Sequence, residues 1–197
     1  MEIKKNDCFT VSIEDMSEDG SGIGKLDGYI WFIKDAVKGD VVEAKAMKMK
    51  KSYGFARLMR VITPSPDRIE PACPVARQCG GCQLQAMSYE SQLKFKENKV
   101  YNNLHRIGGF TDIPFLPIMG MDEPWRYRNK AQFPFGRNKN GEIVTGFYAG
   151  RTHDIIPQED CLLGVEENKK ILESIKEYMI ENHVAPYEEE THQGLIR

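Results

Sequence analysis

The sequence predicts an α+β protein, with a small β-barrel in its first third and a mixed region of helices and an antiparallel β-hairpin after it. The first segment is rich in β-branched and aromatic residues between glycine turns, whereas later segments place apolar residues at helical spacing. The predicted strands cover residues 7–16, 29–33, 40–47 and 53–62. Several short strands at this spacing are typical of a small barrel.

The composition is that of a soluble globular protein. Hydrophobic residues make up 41% and charged residues 28% of the 197 residues, and no apolar run is long enough to cross a membrane. The net charge of −2, from 27 basic and 29 acidic side chains, excludes a globally basic nucleic-acid binder but allows a local basic surface. The N-terminal residues show no secretory signal, so we expect a cytoplasmic protein with no membrane partner.

We divide the sequence into three segments, residues 1–62, 63–165 and 166–197. Pro64 and Pro66 end the barrel, because two prolines so close together cannot continue a central strand. The middle segment begins with a cysteine-bearing loop. The last segment is rich in acidic residues and is expected to be cut short, as part of a longer protein.

Further elements are predicted after the barrel. Apolar residues at helical spacing indicate helices over residues 88–107 and 166–183. Residues 126–135 and 142–148 are predicted to pair as a hairpin, since the Asn-Gly dipeptide between them favours a turn. Residues 192–197 are typical of the beginning of another strand, and a short ordered tail would have the same composition.

The cysteines suggest a metal site. Cys73, Cys79 and Cys82 are spaced as C-x5-C-x2-C, and Cys161 lies far along the chain. Four thiolates can complete a tetrahedral zinc site or hold a [4Fe–4S] cluster, and unliganded thiols are a third possibility that spacing alone leaves open. Cys8 stands alone in the first strand and is expected to be a buried small hydrophobe.

Two regions resemble a known family. Residues 73–85 read C-x5-C-G-G-C-x-L-Q, and together with Cys161 they resemble the iron–sulfur motif of the uracil-C5 RNA methyltransferases. The first segment is similar to the TRAM domain that many members carry. The matching features are its glycine turns and its proline-rich end, at residues 20–24, 27–29, 37–42 and 64–66. Residues 127–130 followed by Phe133 are similar to a strand of the family's central domain.

The resemblance implies an OB-like TRAM barrel followed by an iron–sulfur loop, with a [4Fe–4S] cluster held by Cys73, Cys79, Cys82 and Cys161. It also implies an enzyme that transfers a methyl group from S-adenosylmethionine to C5 of a uridine, in 23S ribosomal RNA for members with both features. In the family, the methyl donor and the nucleophilic cysteine belong to a C-terminal domain. No cysteine follows Cys161, so we assign no catalytic residue here and expect the chain alone to be inactive, with its methyltransferase domain missing.

Two other classes of function stay open. One is a stand-alone RNA-binding module with a structural zinc or iron–sulfur site. The other is an electron-transfer or redox-sensing protein. A reading frame that continues into a donor-binding domain with a cysteine nucleophile would favour the methyltransferase, and a native stop codon would favour the module.

The first candidate RNA-binding stretch lies in the barrel. Residues 45–60 carry six cations and no acid. A solvated hairpin would have the same composition, but a basic loop beside aromatic residues on an OB-like barrel suits single-stranded RNA. The residues assigned to RNA here are Lys48, Lys50, Lys51 and Tyr53.

A second candidate stretch covers residues 125–139, which also carry cations without an acid. In a strand, residues 126, 128 and 130 would share one face. We expect these cations to contact phosphates and the nearby amide of Gln132 to contact a base edge. The residues assigned to RNA here are Arg126, Arg128, Lys130 and Gln132.

Overall fold

The computed structural model describes residues 3–150 and 152–196. The chain forms two compact units. The first contains the chain up to Pro71 together with Gln83–Gly120, and the second contains Ala72–Cys82 together with the chain from Met121 onward. The cysteine-bearing loop therefore packs with the C-terminal part of the chain. The division of the sequence into residues 1–62, 63–165 and 166–197 remains a prediction.

A closed five-stranded barrel forms the core of the first unit. Its strands are β1 (Cys8–Met16), β2 (Gly22–Leu26), β3 (Tyr29–Lys34), β4 (Val41–Met49) and β5 (Tyr53–Thr63). Their order is β1-β2-β3-β5-β4, and β4 closes the barrel by pairing with β1. All pairs are antiparallel except β3 with β5. The predicted barrel is confirmed, and the four predicted strands correspond to β1, β3, β4 and β5.

Strand β2 is the element that the sequence analysis missed, because its glycines favour the interpretation of a turn. Gly20, with a φ of +82°, lies in the turn before β2, whereas Gly22 and Gly24 are buried within the strand. A Cβ atom at Gly24 would lie 2.6 Å from Cγ2 of Val11 in β1. These glycines therefore allow the close approach of β2 and β1 that a narrow barrel needs.

Alternate residues of each strand fill the barrel. Phe9 and Val11 from β1 and Trp31 and Ile33 from β3 are all buried. Because neighbouring residues in a strand point to opposite faces, Cys8 lies on the outside of the barrel and is exposed. The prediction that Cys8 is buried is wrong.

Helix α1 (Tyr89–Asn102) belongs to the first unit. It begins after Ser88, whose hydroxyl oxygen accepts the backbone N–H of Ser91 and so caps the helix. The helix continues into a π-helical turn, Asn103–Ile107. The helix predicted over residues 88–107 is confirmed, with a wider final turn. None of the helices within the described residues is long and apolar enough to cross a membrane.

A three-stranded antiparallel sheet lies in the second unit. Its strands are β6 (Phe135–Arg137), β7 (Ile143–Tyr148) and β8 (Ile155–Pro157), and β7 is in the middle. The pairing of β6 with β7 is the hairpin that the Asn-Gly turn predicts. Strand β8 was not predicted from the sequence, since it is only three residues long.

The first strand of the predicted hairpin is much shorter than expected. The sequence predicts a strand over residues 126–135, whereas β6 begins only at Phe135. Arg126 has a positive φ of 56°, and Pro134 has no N–H to donate to a ladder. The backbone N–H of Arg126 instead donates to the carbonyl oxygen of Leu162 at 2.9 Å.

Helix α2 (Glu167–Glu181) packs against this sheet. Its buried residues Leu172 and Met179 join one apolar cluster with Phe135 and Ile143. The helix predicted over residues 166–183 is confirmed. The expected strand at the chain end appears as isolated backbone bridges, which pair Pro186 with Ile196 and Glu188 with Gln193.

Candidate functional site

Three aromatic rings form a cluster on the outer face of the barrel. Inward residues of β3 and β5 alternate with outward ones, which places Phe32, Tyr53 and Phe55 on the outside. The parallel pairing sets Phe32 opposite Phe55. The centroids of all three ring pairs lie 5.7 Å apart, and Tyr53 is 37% exposed. We call these three residues the aromatic cluster.

Cations lie beside the aromatic cluster on the same outer face. Lys48 of β4 lies opposite Phe55, and Lys45 lies opposite Arg57 of β5. Lys34 of β3 is the partner of Arg57 on the other side. Cross-strand partners share a face, so the aromatic cluster borders a positively charged surface. This surface is suited to contact both bases and phosphates.

The turn between β4 and β5 is held by one tyrosine. The hydroxyl of Tyr29 lies 2.8 Å from the carbonyl oxygen of Lys50 and 2.5 Å from that of Tyr53, and it accepts the N–H of Lys50 at 3.2 Å. Both ends of the turn are thereby fixed. Lys50 and Lys51 are exposed in this turn, next to Tyr53.

One cation of the predicted basic stretch is already paired within the barrel. Nε of Arg60 lies 2.8 Å from Oε2 of Glu43 on the neighbouring strand. The acid comes from β4, outside the stretch that the sequence shows to be free of acids. Arg60 is therefore less available to a phosphate than Lys48, Lys50 and Lys51.

The second predicted RNA-binding stretch lies in the second unit, and its residues do not share a strand face. The guanidinium of Arg126 binds both carboxylate oxygens of Asp160, at 2.6 and 2.7 Å, and also contacts the carbonyl oxygen of Cys161 at 3.1 Å. Arg128 is half-buried, whereas Lys130 and Gln132 are exposed. Arg126 thus fixes the chain around Cys161.

The pairing of Arg126 with Asp160 is reflected in both ionisation equilibria. The hydrogen bonds to Asp160 hold the pKa of Arg126 above its ordinary value. The same bonds from Arg126 hold the pKa of the Asp160 carboxyl below its ordinary value. Both groups are therefore charged at neutral pH.

All four cysteines of the predicted metal site lie in the second unit. Cys73 and Cys79 are buried, and Cys82 and Cys161 are half-buried. The backbone of Cys79 bridges to Ala149, next to the end of β7. The fold therefore joins the cysteine-bearing loop to the sheet from which the chain leads to Cys161.

Glycine allows this close approach of the loop to the sheet. The N–H of Gly80 donates to the carbonyl oxygen of Tyr148 at 2.9 Å. A Cβ atom at Gly80 would lie 2.8 Å from that same oxygen. Any larger residue would push the cysteine-bearing loop away from β7.

Two N–H groups point at cysteine sulfurs. The backbone N–H of Gly81 donates to Sγ of Cys79 at 3.3 Å, and Nε2 of Gln158 donates to Sγ of Cys73 at 3.2 Å. Nε2 of Gln158 also donates to the carbonyl oxygen of Asp160 at 2.9 Å, next to Cys161. Sulfur is a ligand common to zinc sites and iron–sulfur clusters, so the chemistry of the donor set is compatible with either group.

The cysteines do not form a compact cage for a single ion. Within residues 3–150 and 152–196, no group of three or more His, Cys, Asp or Glu side chains is arranged to hold a metal ion. The structure therefore supports the shared location and the hydrogen bonding of the cysteines.

Comparison with known proteins finds a TRAM domain and relatives named as RNA methyltransferases. Residues 4–59, which include β1 to β4 and the first part of β5, match the TRAM domain family. A protein of Halalkalibacterium halodurans named as an uncharacterized RNA methyltransferase is 48% identical over 195 residues, and a similarly named protein of Clostridium tetani is 42% identical over 195 residues. Each alignment covers 99% of this chain and 42% of the relative. The chain thus contains a TRAM domain and is similar over nearly its whole length to proteins named as RNA methyltransferases.

A solved structure resembles the chain over nearly its full length. The structure of Pyrococcus abyssi tRNA (uracil-54, C5)-methyltransferase in complex with S-adenosyl-L-homocysteine matches 94% of this chain and 40% of that protein. The TM-score is 0.67 and the sequence identity is 22%. This likeness shows a common fold. Like the curated relatives, the archaeal enzyme is more than twice as long as the part that the chain matches.

The sequence analysis missed two contributors to these sites. Phe32 completes the aromatic cluster. The alternation of buried and exposed residues within Tyr29–Lys34 indicates its position, because Phe32 lies on the face of the strand that Trp31 and Ile33 do not occupy. Gln158 donates to a cysteine sulfur, but nothing in the spacing of the sequence distinguishes it from other glutamines. The position of Phe32 could have been predicted from the two-residue period of the strand, whereas the contact of Gln158 is visible only in the structure.

Proposed function

We propose that this chain is the RNA-binding and [4Fe–4S]-binding part of an RNA uracil-C5 methyltransferase that uses S-adenosylmethionine. The observation that carries this proposal is the aromatic cluster of the TRAM barrel, with Lys45, Lys48 and Arg57 beside it. Aromatic rings stack on unpaired bases while cations contact phosphates, so this surface suits single-stranded RNA.

The proposed substrate of the whole protein is a uridine of ribosomal RNA, in the cytoplasm. The relatives named as RNA methyltransferases support RNA as the partner. The choice of ribosomal RNA rests on the combination of a TRAM barrel with the cysteine motif in one sequence. The chain spans about two fifths of the length of these relatives, and we propose that the methyl-donor site and the catalytic residues lie in the remainder.

The proposed ligands of the cluster are Cys73, Cys79, Cys82 and Cys161. Their support is the all-sulfur donor set, their location in one unit, and the N–H groups of Gly81 and Gln158 at two of the sulfurs. A bound cluster would link the cysteine-bearing loop covalently to the chain at Cys161 and so stabilise the second unit. A zinc ion bound by the same thiolates is the competing outcome.

Methyl transfer by the full-length protein tests this function. Labelled S-adenosylmethionine should yield 5-methyluridine in a ribosomal RNA transcript, whereas the 197-residue chain should yield none. Label found only in transfer RNA would overturn the choice of substrate. Methyl transfer by the 197-residue chain would overturn the assignment of catalysis to the remainder of the protein.

A further inference from the structure

A cleft lies beside the aromatic cluster, on the outside of the barrel. It has a volume of about 480 Å³, and the rings of Phe32, Tyr53 and Phe55 line it. The turn between β1 and β2 also lines it, through Glu18 and Asp19. The cleft thus combines aromatic surface with carboxylates. Neither the family resemblance nor the comparisons assign a ligand to it.

The carboxylate of Asp19 is fixed in place within its turn. Its Oδ1 accepts hydrogen bonds from the hydroxyl of Ser17 and, at 3.3 Å, from the backbone N–H of Ser21. The bond from Ser17 is the main reason that the pKa of Asp19 lies below its ordinary value. Asp19 is therefore a charged acceptor at neutral pH, held by its own turn and able to accept further donors.

The chemistry of these walls selects among the bases. An aromatic ring can stack on any base, whereas a carboxylate can only accept hydrogen bonds and therefore needs N–H donors on the base. Guanine presents two adjacent donors, N1–H and the N2 amino group, that match the two oxygens of one carboxylate. Uracil presents a single N–H between two carbonyl oxygens, which a carboxylate repels, and adenine has no donor at N1.

We propose that this cleft binds an unstacked guanine base of single-stranded RNA, with the aromatic cluster against the ring and Glu18 and Asp19 accepting from its Watson–Crick edge. The proposal rests on the RNA-binding function proposed above. The cations beside the cluster lie where the phosphates of the same strand can pass. The carboxylates repel phosphate, so they favour entry of the base rather than the backbone.

Short RNA oligonucleotides test the base preference directly on the unaltered 197-residue chain. The probes are an oligouridine with one central guanosine and the same strand with inosine or adenosine there, measured by fluorescence anisotropy at low salt. Inosine keeps N1–H and lacks the N2 amino group. Guanosine should bind about tenfold more tightly than adenosine, with inosine between them.

Two variants locate the preference. Glu18→Gln combined with Asp19→Asn should abolish it while oligouridine binding persists, because the amide that replaces the Asp19 carboxylate still has an oxygen to accept from Ser17 and Ser21 in the turn. Glu14→Gln, an exposed carboxylate of β1 outside the cleft, is the matched control and should leave the preference unchanged.

Phe32→Leu should weaken binding of all probes by about fivefold to a hundredfold, because one stacking surface is lost. Phe110→Leu, an exposed aromatic residue of the same unit, should have no effect. Equal affinities for guanosine, inosine and adenosine, or a preference unchanged in the double variant, would overturn the guanine site alone. A chain that binds none of the probes would overturn the proposed RNA-binding function as well.

Discussion

The carboxylate of Asp40 is completely buried in the barrel and binds the guanidinium of Arg68, whose Nη2 lies 2.7 Å from Oδ2. Nε of Arg68 lies 3.0 Å from Oδ1, so the contact is bidentate. The backbone N–H groups of Val37 and Ser65 donate to the same carboxylate at 2.7 and 2.9 Å. Asp40 therefore ties the turn before β4 to the chain that leaves β5.

Asp40→Asn should destabilise the first unit strongly. The substitution replaces the buried carboxylate with a neutral amide and leaves the guanidinium of Arg68 without a charged partner. This loss should lower the free energy of unfolding by about 3–5 kcal/mol. Urea unfolding followed by circular dichroism measures the loss. Asp15→Asn is the matched control, because Asp15 and Lys38 form an exposed pair at 3.9 Å and should contribute less than about 1 kcal/mol. Equal losses from the two substitutions would contradict the structural role of Asp40.

The contribution of Asp40 should also depend on pH. Burial opposes its charge, but the hydrogen bonds from Arg68, Ser65 and Val37 outweigh burial and hold the pKa of Asp40 below its ordinary value of 3.8. A carboxyl whose pKa is lowered on folding stabilises the protein above its unfolded pKa and loses that effect as the pH falls through its folded pKa. The difference between wild type and Asp40→Asn should be constant near neutral pH and shrink below about pH 4. A difference that grows in acid would contradict this sign.

Tyr29→Phe should weaken RNA binding without disrupting the barrel. The hydroxyl holds Lys50 and Tyr53 at the two ends of the turn, and its loss costs about 1 kcal/mol of stability and frees the turn. A small decrease in melting temperature and a severalfold lower RNA affinity are expected. Tyr178→Phe, an exposed tyrosine of α2, is the control. Unchanged RNA affinity in Tyr29→Phe would show that the turn does not take part in binding.

The protein purified without oxygen should contain about four iron and four acid-labile sulfide ions per chain. It should show a broad absorption at about 400 nm. Cys161→Ser should lose most of the iron, because Cys161 closes the site from a distant part of the sequence. Cys8→Ser is the matched control, since Cys8 is exposed on the barrel. One zinc and no iron would rule out the cluster, and full iron content in Cys161→Ser would rule out Cys161 as a ligand.

The two arginines of the second stretch should behave differently. Arg126→Lys loses the bidentate contact with Asp160, so it should lower the thermal stability of the second unit and the metal content. Arg128→Ala should lower RNA affinity with little change in metal content. Gln132→Ala should alter base preference more than affinity, because an amide can contact a base edge. If Arg126→Lys changed only RNA affinity, the structural role of Arg126 would be wrong.

The barrel and the two helices were predictable because local patterns determine them. Alternation in residues 53–62 and helical spacing in residues 166–183 each follow from which side chains face a core. Strand β2 was not predictable from propensity, since Gly22 and Gly24 are poor strand formers that are required by packing against β1. Its signal is long-range and appears only once the barrel has closed.

The positions of site residues were predictable where they depend on the alternation of faces along a strand. They were not predictable where they depend on a partner from a distant part of the sequence. Tyr53 lies in the aromatic cluster as expected, because it lies two residues from Phe55 in one strand. Arg126 and Arg128 lie in the same cation-rich stretch of the sequence, yet it is the guanidinium of Arg126 that Asp160 binds, from a distant loop. No local pattern distinguishes these two arginines, because the partner that separates them is 34 positions away.

We propose that this chain binds RNA through the barrel face that carries the aromatic cluster and its cations. The most direct test is the affinity of the 197-residue chain for single-stranded RNA as a function of salt, compared with the variant Lys48→Ala/Lys50→Ala/Lys51→Ala. Wild type should bind despite its net charge of −2 and weaken steeply with salt, and the triple variant should bind more weakly, with a slope flatter by up to about 2 units, at about 0.7 per lost phosphate contact. An unchanged affinity and an unchanged salt slope in the triple variant would contradict the claim.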